Sequence, residues 1–188
     1  MLRFNFDMDM SAVSVPESDL IYDVLLGGYN SRLFIELSEK RGIFYDISGS
    51  SERYRNVGFF SFSFELKPAD VTLAVESVLE VISELCEDLL SEDQCMKASY
   101  VDNGLMLYDD SRELNFTMAY DNHLLERGYS TLADRAEAYR KVTPERLREV
   151  ANIIFRPENL TLTAKGNKRH FDTEKISELI KSFRSIKQ

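Results

Sequence analysis

The sequence predicts an α+β domain: one mixed, largely antiparallel sheet with helices packed on one face. Three observations carry this. Val57–Leu66 sets Phe60, Phe62, Phe64 and Leu66 against Ser61, Ser63 and Glu65, the pattern of a strand with one buried face. From Pro68 onward, Val71, Ala74, Val75, Val78, Leu79, Ile82, Leu85, Cys86 and Leu89 recur at helical spacing. The elements run β α α β β α α α α α β α. Only a short turn joins the middle two strands, so those two are antiparallel, and helices separate the first and last strands from that pair.

Each element has its own local signal. Leu2, Phe4, Phe6 and Met8 alternate with polar neighbours and read as the first strand. A loop over 10–16 ends at Pro16. Ser18 is the expected cap of a helix through Leu26, which Gly27 and Gly28 stop. Asn30 or Ser31 caps a second helix over Arg32–Lys40, with Gly42 just past its end. Ile43–Ser48 reads as a short strand and Glu52–Asn56 as a polar turn before the Phe-rich strand. Ser91-Glu-Asp-Gln94 is a capping box that opens the next helix. A further helix runs from Ser111 to Glu126, ended by Gly128, and a short one from Thr131 to Lys141. Thr143-Pro144-Glu145 places an N-cap before a first-turn proline and opens a helix to Phe155. Leu160, Leu162 and Ala164 form the last strand. Asp172 or Thr173 starts a closing helix with Ile176, Leu179, Ile180, Phe183 and Ile186 on its apolar face.

No linker, repeat or low-complexity stretch divides the chain, so 1–188 reads as a single domain. At 188 residues with 44% hydrophobic content it can build its own core. No apolar run approaches the roughly 20 residues that span a bilayer. The acidic N-terminal stretch does not resemble a secretion signal, so the expected location is cytoplasmic. Net charge is −9, from 23 Lys plus Arg against 32 Asp plus Glu. A surface of that sign repels nucleic acid and anionic lipid, which excludes both as expected partners.

The chemistry is sparse. His123-Leu-Leu-Glu126-Arg127 resembles the zinc pattern H-x-x-E-H with its second histidine replaced. Two histidines one helical turn apart can share a Zn²⁺; an arginine there repels the cation and offers no lone pair. His170 sits in a basic turn. Cys86 and Cys95 have no nearby histidine and make no zinc signature. No serine occupies a nucleophile elbow, and the Gly27-Gly28 turn lacks both the P-loop lysine and the Rossmann spacing. No catalytic or metal-binding residue is expected in this chain.

One block is specific. Leu25-Leu-Gly-Gly-Tyr-Asn-Ser-Arg-Leu-Phe34, followed by Glu39-Lys-Arg-Gly-Ile-Phe-Tyr45, resembles the non-catalytic C-terminal domain of the insulinase-like zinc metallopeptidases, the family of pitrilysin, insulin-degrading enzyme and the mitochondrial processing peptidase. Pro68-Ala-Asp-Val71, Val142-Thr-Pro-Glu145 and Arg156-Pro-Glu-Asn-Leu160 with Gly166 extend the likeness over about residues 20–166.

The resemblance implies a two-repeat architecture. The first repeat holds zinc through H-x-x-E-H and a distant glutamate; the second, which this chain resembles, closes over the peptide. It implies a zinc-bearing repeat as partner, in the same parent chain or another subunit, and zinc only there. The family's substrate-facing tyrosine corresponds to Tyr45. The arginine seven positions earlier corresponds to Ser38, whose hydroxyl cannot replace a guanidinium; Arg41, three residues on, is the expected substitute. Arg32 and the Gly27, Gly28 turn are expected to face the missing repeat. An alternative within the family is a catalytically inert scaffold or assembly subunit, for which a homodimer is the alternative assembly.

Overall fold

The computed structural model describes residues 1–91, 120, 132–167 and 171–183. The expected helices after Ser91 and over 111–126 fall outside them except for Tyr120, as do Cys95, His123, His170 and Ile186.

Among the described residues four strands form one sheet in the order β2-β3-β1-β4. They are β1 (Leu2–Asp9), β2 (Ser48–Arg53), β3 (Val57–Phe64) and β4 (Leu160–Ala164). All three pairings are antiparallel, so the antiparallel character expected for most of the sheet extends to the whole of it. The central pair sets Phe4 opposite Phe62 and Phe6 opposite Phe60. The Phe4 and Phe62 rings stack 5.0 Å apart, the cross-strand contact that fixes register.

The helices are α1 (Val15–Leu26), α2 (Val71–Glu87), α3 (Leu132–Arg140), α4 (Pro144–Ile154) and α5 (Thr173–Ser182). The core lies between them and the face bearing Leu2, Phe4, Phe6, Met8, Phe60, Phe62 and Phe64. Phe155, at the end of α4, meets Phe6 and Phe60 edge-on at 4.9 and 5.3 Å. The other sheet face is polar: Arg3, Asn5 and Asp7 stand opposite Ser63, Ser61 and Phe59.

Four local expectations change. α1 starts earlier, because Ser14 and not Ser18 is its cap. Glu17 accepts a hydrogen bond from the Ser14 N–H at 2.7 Å, completing a capping box, and Pro16 fits a first turn that needs no N–H. Ser18 instead donates to the Val15 carbonyl. The strand expected at Ile43–Ser48 lies at Ser48–Arg53, partly within the expected turn. Ile43 and Phe44 are both buried and do not alternate. β2 can be polar because it is an edge strand against which α1 packs closely: a Cβ on Gly49 would fall 2.8 Å from Leu26 Cδ1, and the Tyr22 hydroxyl donates to the Gly49 carbonyl. β3 stops at Phe64, leaving Leu66 half-buried beyond it. α2 stops at Glu87 and Asp88 turns extended, so Leu90 is buried where Leu89 was expected.

Charged contacts tie α1 to its neighbours. Asp19 accepts from Arg53 of β2 and from Tyr139 of α3. Glu17 meets Arg146 of α4 at 2.7 Å, and Arg146 also donates to the Ala12 carbonyl. Burial pushes the Glu17 carboxyl up, but the bonds from Arg146 and Ser14 outweigh it and hold the group below its ordinary 4.5. The sign follows: stability from a depressed carboxylate is present above about 4.5 and lost as pH falls through the lower folded value. Arg146→Ala is expected to cost about 1–3 kcal/mol at pH 7, since it strands a largely buried charge. The gap from wild type should shrink by pH 3. Urea unfolding at both pH values measures it, and an equal gap at both would refute the linkage.

Candidate functional site

The family-like block is built on three pieces of chain between α1 and β2. Gly27 ends α1 by bonding back to the Asp23 carbonyl. Gly28 then takes φ +83°, a left-handed conformation that glycine adopts without a side-chain clash. The Ser31 N–H closes the turn on the Gly28 carbonyl at 3.1 Å.

The helical stretch that follows covers the expected residues but is wound differently. Phe34–Lys40 is a π-helix, whose hydrogen bonds span one residue more (i→i+5) than those of the α-helix the sequence suggests. Its turns put Phe34 and Leu37 in the core and leave Ser38 half-buried. The closure is correspondingly wide: the Gly42 N–H reaches the Ser38 carbonyl and the Ile43 N–H reaches the Leu37 carbonyl.

Beyond it the chain alternates sharply in exposure. Phe44 is buried, its ring 6.1 Å from Phe34 and 4.9 Å from Phe64. Tyr45 is 95% exposed. Anchoring one residue thus projects the next. Tyr29, in the glycine turn, is 80% exposed, with its ring edge-on to Phe34 at 5.0 Å. Tyr29 of the turn thus touches, and Tyr45 follows in sequence, a member of one buried aromatic row, Phe34–Phe44–Phe64.

The cations are distributed unevenly around this row. Glu36 accepts from Lys40 at 2.8 Å and from Arg41 Nε at 2.9 Å. These bonds, that to Lys40 foremost, hold its carboxyl below 4.5. Arg41 also reaches Glu80 of α2 at 3.7 Å. It is turned to two acids, and in a π-helix three residues fall short of the full turn that would set it above Ser38. Arg32 is half-buried, and no hydrogen bond or ion pair joins its side chain to another described residue.

The sequence reading did not single out Tyr29, Glu36 or Glu80. Tyr29 had a visible signal, an aromatic inside a glycine turn; Glu36 had its i,i+4 spacing to Lys40. Among the described residues no three His, Cys, Asp or Glu side chains gather closely enough to hold a metal ion, and His123 lies outside them. No helix among them is long and apolar enough to cross a membrane. A cavity of about 780 Å³ opens between α2, α4 and α5, lined by Glu76, Glu80, Asn152, Leu179 and Phe183 among others. Of the residues around the aromatic row, it shares only Glu80.

Residues 15–98 match the family model of the peptidase M16 inactive domain. Over those 84 of its 188 residues the chain is similar to that domain. The match begins at the first residue of α1 and takes in the glycine turn, the π-helix, Tyr45 and α2. The fold agrees with solved structures of low identity. A peptidase M16 inactive domain from Pseudomonas fluorescens superposes with a TM-score of 0.72 at 17% identity, over 88% of this chain and 42% of that one. A protease from Helicobacter pylori gives 0.68 at 15%, over 86% and 40%. A chain of complex III2 from Candida albicans, with Inz-5 bound, gives 0.69 at 11%, over 95% and 46%. This chain thus spans about two-fifths of the first of these, and all three likenesses speak to fold alone. No curated protein matches the sequence. β1 and β4 lie outside the matched residues, yet they are hydrogen-bonded into the same sheet as the matched β3.

Proposed function

We propose that the chain is the substrate-closing, non-catalytic repeat of an insulinase-like zinc metallopeptidase that processes peptides or proteins in the cytoplasm. The observation that carries this is Tyr45. A large aromatic ring is held almost fully in solvent by a buried neighbour, at the position where the family places its substrate-facing tyrosine. The Gly27, Gly28 turn adjoins the same aromatic row through Tyr29, whose ring meets Phe34, which supports a shared surface with Tyr45.

On this reading 1–188 is one repeat, zinc belongs to a second repeat in the parent chain or a partner subunit, and the chain alone hydrolyses no peptide. The two repeats meet over a modest interface, on the order of 600–1,500 Å². The test mixes this chain with a separately expressed zinc-bearing repeat, following sedimentation and cleavage of a quenched peptide on one sample. Association with activity only in the mixture is expected. A stable self-dimer with no gain of activity at high micromolar concentration would favour the second reading, an inert scaffold or assembly subunit. Ser38 in place of the family arginine, together with the tie of Arg41 to Glu36 and Glu80, is what favours that alternative.

A further inference from the structure

From the surroundings of the glycine turn we infer that Tyr29 and Arg32 read the substrate: Tyr29 takes a bulky apolar or aromatic side chain of the peptide, and Arg32 a neighbouring acidic group. This rests on the closing-repeat reading and adds a substrate class to it.

Tyr29 is exposed but not loose. Its ring meets buried Phe34 at 81° and 5.0 Å. An edge-to-face contact occupies at most one face of each ring, so at least one face of Tyr29 is open to solvent. A fixed aromatic with one open face offers contact area at low entropic cost, because only two side-chain torsions need ordering. Tyr45, also exposed, follows buried Phe44, whose ring lies 6.1 Å from Phe34, so both tyrosines adjoin the same buried pair.

Arg32 supplies charge selectivity. The other cations of the segment, Lys40 and Arg41, are engaged by Glu36, and Arg41 by Glu80 as well. Arg32 lies three residues after Tyr29, half-buried, with no acid partner among the described residues. In a chain of net charge −9, an unneutralised guanidinium beside an open aromatic ring suits a ligand with the same two features reversed in sign and shape.

The test uses this chain and four fluorescein-labelled decapeptides. They are identical except for Phe or Ala at one central position and Glu or Gln beside it. Fluorescence polarisation is expected to show about 3- to 10-fold tighter binding of the Phe peptides, the range of one aromatic pair contact. The Glu peptides should bind about 2- to 5-fold tighter than the Gln ones, as for a partly exposed ion pair. Tyr29→Phe should keep the Phe preference and Tyr29→Ala remove it; Arg32→Gln should remove only the Glu preference. Circular dichroism of each variant checks the fold, and the peptide comparisons on wild type need no variant. Binding without Phe or Glu preference, yet weakened in Tyr45→Ala, which removes the exposed ring, would overturn this inference and leave the closing-repeat reading standing. No binding of any peptide at millimolar chain would overturn both.

Discussion

Phe60→Ala is expected to lower the unfolding free energy by about 3–5 kcal/mol, a large part of the roughly 5–15 kcal/mol that holds an ordinary domain together. Phe60 is fully buried where three elements meet. Its ring lies 6.0 Å from Tyr22 of α1, 5.3 Å from Phe155 after α4 and 6.4 Å from Phe62 on its own strand. Truncation removes the ring from the core and leaves a cavity. Collapse into that cavity is resisted, because Phe6 opposite is held by its edge-on contact with Phe155 and by strand pairing on both sides. The same substitution one residue earlier separates burial from strand propensity. Phe59 sits on the polar face opposite Asp7 and is only half-buried, so Phe59→Ala should cost about 1 kcal/mol. Urea midpoints of the two variants give the comparison. Equal losses would mean that the helix layer does not rest on the face that carries Phe60.

The parts of this fold that were legible in the sequence are those whose pattern has one physical reading. Four alternating apolar positions around Phe62 admit only a half-buried strand, and the α2 stripe is long enough to fix its period. Thr143-Pro144 marks a helix start through two independent effects, an accepting hydroxyl and a missing N–H. The errors arose where two readings shared the same residues. Ser14 and Ser18 are both competent caps; the deciding feature is Glu17, three residues after Ser14, which completes the box. Ile43-Phe44 looked like a strand because both are apolar, but consecutive burial of the two signals a plug in the core. A nine-residue helix cannot distinguish the i→i+4 period from i→i+5, so the π winding was invisible. So was the Arg41–Glu80 contact, which depends on how two distant segments pack. The site block itself was readable as a resemblance. What the chain alone could not supply was exposure: that Phe44 anchors while Tyr45 projects is decided by the positions of Phe34 and Phe64.

That projection makes Tyr45 the residue with the largest expected effect on chemistry. In the reconstituted two-repeat enzyme, Tyr45→Phe is expected to lower turnover on the order of 10²-fold, the loss typical of removing one hydrogen-bond donor to a developing oxyanion. Its hydroxyl has no structural duty to lose: the residue is 95% exposed, and no hydrogen bond joins it to another described residue. The unfolding midpoint of the variant should therefore stay within about 0.5 kcal/mol of wild type, as for surface substitutions in general. The signature is a fall in kcat and kcat/KM together with little change in KM, because a donor that acts on the oxyanion contributes in the transition state and not to ground-state binding. Ser38→Arg tests the position that corresponds to the family's arginine. Position 38 is half-buried on the π-helix, so a long side chain can reach solvent from it. Unlike Arg41, a guanidinium entering there does not begin in the grip of Glu36 and Glu80. Ser38→Arg should raise turnover or leave it unchanged. Unaltered kinetics in Tyr45→Phe, with the complex formed and active, would remove Tyr45 from the reaction and leave it as an exposed surface tyrosine.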